Sequence, residues 1–118
     1  MSVDKHAEAL RSAGEKLFPG VRAKMEKMAY GNWRTMLYES LVRACVIRYQ
    51  AAHMPGAVTA AIRLEQERGF LWMAELVALL EEYESNRTTY PTLDSFAPRI
   101  IESFELYAGR TSGPSSHI

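Results

Sequence analysis

Apolar residues recur along this chain at spacings of three and four, interrupted by short clusters of glycine, proline and asparagine, and no stretch alternates apolar and polar with period two. The pattern predicts helices and no sheet. A first amphipathic helix is predicted over about residues 3–18, ended by Pro19-Gly20, because proline breaks the hydrogen-bond ladder and glycine suits the exit turn. A short helix over about 21–29 follows, with Val21, Met25 and Met28 on one side and Arg22, Lys24, Glu26 and Lys27 on the other. Tyr30-Gly31-Asn32-Trp33 reads as a turn in which Asn32 caps the next helix, over about 33–53, which Pro55-Gly56 stops.

Further on, Val58, Ala61, Ile62 and Leu64 mark a helix over about 57–68, closed by Gly69. The run Phe70-Leu71-Trp72-Met73 fits either an extended segment or a first helical turn. From about 74 to 86, Leu76, Val77, Leu80 and Tyr83 repeat on one side while Glu75, Glu81, Glu82 and Glu84 face water. Residues 87–91 form a loop, Thr92 caps a last helix with the stripe Phe96, Ile100, Ile101, Phe104 and Tyr107, and Pro98 either kinks that helix or lies in its first turn. The reading is all-α: a single bundle of five or six helices over residues 1–108, built around the apolar helix at 33–53, with a disordered polar tail at 109–118.

One residue stands out from this pattern. The helix at 33–53 carries Met36, Leu37, Leu41, Val42, Cys45, Val46 and Ile47 and has almost no polar face, yet it contains Glu39. Arg43 lies four residues on, in the favourable acid-first order for a helical pair. Two readings stay open: an ion pair that fixes helix register, or a carboxylate facing a cleft to hold a cation.

Composition narrows the classes. The chain has 118 residues, 47% hydrophobic and 24% charged, with no apolar run long enough to span a bilayer, so no membrane association is expected. Fourteen basic residues balance fourteen acidic ones; residues 1–53 hold nine against five and the remainder five against nine, which favours packing of the halves. The segment VRAKMEKM reads as a solvated face, and no nucleic-acid binding is expected. Cys45 is the one cysteine, so no disulfide forms within the chain, and it reads as a small buried apolar residue. Nothing at the N-terminus resembles a signal peptide, so a soluble, cytoplasmic location is expected for the chain as it stands. His6 is placed on the exposed face of the first helix, His53 at a helix C-terminus and His117 in the tail, and none has the spacing of a zinc pair. Phosphate loops and nucleophile elbows are absent.

Five stretches taken together, GEKLFPGVRAKMEKMAYGNW (14–33), YESLVRA (38–44), RGF (68–70), ELVALLEEYESNR (75–87) and YPTLDSFAPRIIESF (90–104), resemble a bacterial family of zinc metallopeptidase-like proteins, domain of unknown function 4932. The resemblance implies an H-E-x-x-H helix ahead of a segment like this one, with two histidines on zinc, a glutamate acting on water, and a third ligand from a later helix. Glu39 matches the third ligand, Arg43 would orient it, and Tyr30, Asn32 and Trp33 would line the cleft, the Tyr30 hydroxyl facing a developing oxyanion. This sequence contains no H-E-x-x-H, and the family pattern puts it just before residue 1. The resemblance therefore implies the C-terminal portion of a metallopeptidase-like protein, inactive alone, with zinc bound only if the missing segment or another chain supplies the other ligands. The rival expectation is a non-catalytic helical module for protein interaction or homo-oligomerisation.

Overall fold

The computed structural model describes residues 6–112, and among these there are five α-helices and no strand: α1 (Ala7–Lys27), α2 (Trp33–His53), α3 (Val58–Glu67), α4 (Met73–Ser85) and α5 (Ala97–Ser112), with short 3-10 turns at Pro55–Ala57 and Asp94–Phe96. The bundle places α2 against α1, α3 and α4, while α5 lies against α1 and α4. Leu10, Leu17, Met25, Met36, Leu37, Ile47, Phe70, Trp72, Leu80, Phe96, Ile100 and Phe104 meet in one core.

The expected break at Pro19-Gly20 does not occur, and α1 runs through it. The reason is register. Leu10, Ala13, Leu17, Val21 and Met25 are all buried and follow one another at three and four residues, so the stripe crosses the proline in phase. Pro19 and Gly20 fall on the exposed side, where the ring costs a backbone hydrogen bond but no core contact. Burial of the stripe outweighs the local preference, as is usual for helices in proteins. Helix α1 ends two residues before the predicted boundary, with Ala29 left-handed at φ 65°. The Tyr30 N–H then reaches Met25 O at 2.9 Å and the Ala29 N–H reaches Glu26 O at 3.0 Å, which closes the helix end.

Other boundaries follow their capping residues. Asn32 Oδ1 accepts the Thr35 N–H at 2.8 Å and starts α2 at the residue expected. Gly69, at φ +114°, ends the α3 segment; a Cβ there would come within 3.0 Å of Met25 Cε, so this turn needs glycine both for its conformation and for its approach to α1. Thr92 does not cap α5 as expected: it and Ser95 exchange hydrogen bonds between side chain and backbone N–H, both at 3.2 Å, which closes the 3-10 turn at Asp94–Phe96, and α5 starts only at Ala97. Pro98 sits in the first turn of α5, where its missing N–H costs nothing. Helix α5 continues to Ser112, into the stretch expected as tail; residues 1–5 and 113–118, including His117, lie outside the described residues.

The ambiguous run 70–73 turns out to be the start of the core's centre. Phe70, Trp72 and Met73 are buried, and the Trp72 ring meets Phe70, Phe104 and Tyr107 edge-on at 6.1–6.4 Å between centroids. Its indole N–H donates to Ser40 Oγ at 2.9 Å, and that hydroxyl donates in turn to Met36 O at 2.8 Å. Ser40 is the one polar residue classed as fully buried among those described. Replacing Ser40 with alanine strands the indole N–H away from water, so Ser40→Ala is expected to lower the unfolding free energy by about 1–3 kcal/mol. Urea denaturation checks this, and a loss under about 0.5 kcal/mol would mean that water reaches the indole.

Candidate functional site

Helix α2 presents three faces. Met36, Leu37, Ser40, Leu41, Ala44 and Ile47 point into the core. One rim carries Glu39 and Arg43. The outer side carries Tyr38, Val42, Cys45, Val46 and Tyr49, all exposed and none charged.

On the rim, the structure brings Tyr30, Glu39 and Arg43 together. The Tyr30 hydroxyl donates to Glu39 Oε1 at 3.1 Å and accepts from Arg43 Nη2 at 3.0 Å. Glu39 is not the main partner of Arg43, however. Arg43 Nε is 3.6 Å from Glu39 Oε1 and makes no hydrogen bond, whereas Arg43 Nη1 donates to Glu65 Oε1 at 3.0 Å. Glu65, only 13% exposed, is held from its other oxygen by Arg68 at 3.3 Å. The Arg43 guanidinium also lies 4.9 Å from the centre of the Phe70 ring. Burial pulls the Arg43 pKa down, but the Tyr30 hydrogen bond and the Glu65 charge outweigh it and hold the group above its ordinary value. Glu39 Oε2 accepts no hydrogen bond among the described residues.

Asn32 and Trp33 have other contacts. The Asn32 side chain is spent on the helix cap. Trp33 covers Gly14 on α1 so closely that a Cβ there would come within 2.5 Å of the ring, and the Arg34 guanidinium lies 5.7 Å from its centre. Two residues differ in placement from the sequence reading. His6 is half-buried at the start of α1 with Nε2 3.1 Å from Asp94 Oδ1, so it ties the helix start to the turn before α5. Cys45 is exposed and not buried, because the core side of α2 is the opposite one. Neighbouring hydrocarbon still raises its thiol pKa by desolvation, with a smaller push from Glu84.

Among the described residues no three His, Cys, Asp or Glu side chains gather into a group that could hold a metal ion. A cation at Glu39 would have the Arg43 guanidinium close by, its Nε 3.6 Å from Oε1. No described helix is long and apolar enough to cross a membrane.

The sequence profile of the family described as Domain of unknown function (DUF4932) matches residues 3–103, and the chain belongs to that family. No curated protein and no solved structure matches the chain.

The rim geometry makes Arg43 the group on which its neighbours depend. Removing it leaves Glu39 and Glu65 as half-buried carboxylates without their shared cation, so Arg43→Met is expected to cost about 2–4 kcal/mol. Glu39→Gln removes only a loose, partly exposed pair and is expected to cost under about 1 kcal/mol. Denaturant midpoints of the two variants check this order, and equal losses would place Glu39, not Glu65, as the principal partner.

Proposed function

We propose that this member of the DUF4932 family works as a helical interaction module whose contact surface is the outer face of α2. The observation that supports the reading is the composition of that face. From Tyr38 to Tyr49 it carries two aromatics, two valines and a thiol, with Tyr38 55% and Tyr49 70% exposed. The outer face of a solvated helix normally carries charge. Elsewhere the chain follows that rule: α1 turns Arg11, Glu15, Lys16, Arg22 and Lys27 to water. An uncharged aromatic strip running most of the length of a helix is the surface that a partner covers.

Cys45 reports on this directly, since it is the one cysteine in the sequence and lies inside the strip. In the cells that make the protein, Cys45 is expected to react with a maleimide at least about tenfold more slowly than in the purified, dilute chain, because a covered face excludes the reagent. Equal rates would end this reading.

A second reading makes Glu39 the third zinc ligand of a metallopeptidase completed by an H-E-x-x-H segment outside this chain. One observation favours it: Tyr30 and Arg43 both lie on Oε1, and Oε2 accepts no hydrogen bond among the described residues. On this reading zinc alone does not bind the present chain with stoichiometric affinity, and a longer form carrying the motif loses zinc at least about tenfold more readily as Glu39→Ala. Equal zinc retention by the two longer forms, measured by metal analysis after dialysis, contradicts it.

A further inference from the structure

We propose that the outer face of α2 is a self-association surface, on which a second copy of this chain packs antiparallel about a two-fold axis passing between residues 43 and 44. The proposal rests on the reading of α2 as a contact face and supplies its occupant.

The first argument is spacing. Thr35, Tyr38, Val42, Cys45, Tyr49 and Ala52 follow one another at three, four, three, four and three residues, the repeat of a coiled-coil seam. Their sizes run small, aromatic, medium, medium, aromatic, small, which is the same in either direction. An isologous interface needs a patch that complements its own reverse. Antiparallel pairing sets Thr35 opposite Ala52 of the second copy, Tyr38 opposite Tyr49, and Val42 opposite Cys45.

The second argument is a receptor for the aromatic. A groove of about 300 Å³ opens between α2 and α4, walled by Cys45, Tyr49, Leu80, Tyr83 and Leu93. It lies at the level of Tyr49, where Tyr38 of the second copy arrives. The Arg48–Glu84 pair, held by two hydrogen bonds of 2.8 and 3.0 Å, lines the same groove and offers polar atoms to the incoming phenol. Symmetry makes the insertion twice.

Charge and area agree with this. Under the same axis the seam positions themselves carry no charge, so no like charges meet across it. Tyr38 and Tyr49 expose roughly 250 Å² between them, taking about 200 Å² for each aromatic side chain. With Val42, Val46 and the groove walls each copy offers on the order of 500 Å², about 1,000 Å² for the pair, the size of a weak or transient interface. The dimer is therefore expected to exchange reversibly with monomer.

Sedimentation equilibrium of the purified chain from about 1 to 500 µM tests the proposal. The expected result is a monomer–dimer equilibrium that Tyr38→Ala or Tyr49→Ala weakens at least about tenfold, both being exposed positions whose variants should keep the wild-type circular dichroism. Mixing a Val42→Cys, Cys45→Ser chain with wild type under mild oxidation should give a disulfide-linked dimer more readily than either chain alone. A monomer at every concentration overturns the proposal, as does a dimer indifferent to both tyrosine variants, or preferential linkage of wild-type Cys45 to itself. If the chain is monomeric but Cys45 is shielded in the cell, the face belongs to another protein: this proposal falls and the interaction reading stands. If Cys45 is also unshielded, both fall.

Discussion

Everything in this bundle is positioned by the contact between Trp72 and Ser40. The indole needs a hydrogen-bond partner in a dry core, and the serine hydroxyl, itself tied to Met36 O, is what α2 offers it. The pair fixes the rotation of α2 about its axis. With Ser40 inward, Met36, Ala44 and Ile47 must also face the core, Glu39 and Arg43 must stand on the rim, and Tyr38, Val42, Cys45 and Tyr49 must face out. Rings from Phe70 and from Phe104 and Tyr107 of α5 close around the indole and tie α5 to this orientation.

That orientation separates two tasks on one helix. The inner side holds the fold. The rim network of Tyr30, Glu39, Arg43 and Glu65 ties α2 to the end of α3, and its arginine serves two carboxylates at once. The outer side contributes little to the packing around it, and its aromatic character is explained by contact with something else. The odd carboxylate in an apolar helix thus marks the border between a folded interior and a contact surface, while its Oε2, which accepts no hydrogen bond among the described residues, keeps the zinc reading open to test.

The helices at 33–53 and 74–86 were legible in the sequence because Asn32, Pro55 and the apolar period act within a few residues of where they are read. Pro19 misled for the opposite reason: its effect is local, whereas the stripe from Leu10 to Met25 that overrides it acts through packing on α5 and α2. The neighbourhood of Glu39 and Arg43 is legible from their spacing of four, whereas the Tyr30 hydroxyl comes to them across the turn before α2. Glu65 is not legible, since it reaches Arg43 from another helix, 22 residues away, and nothing in local spacing announces that approach. The sequence places Cys45 in the core because an apolar helix shows no sign, in sequence alone, of which apolar side meets it; the structure turns Ser40 inward and Cys45 out.

The central claim is that the outer side of α2 is kept apolar for contact and not for folding. Its most direct test is the unfolding free energy of the dilute chain carrying Val42→Lys, Val46→Glu and Tyr49→Gln, singly and together. The account predicts changes within about 0.5 kcal/mol for each, as for surface positions without structural duty. A loss of about 2 kcal/mol or more at any of them would contradict it and return the outer face of α2 to the core.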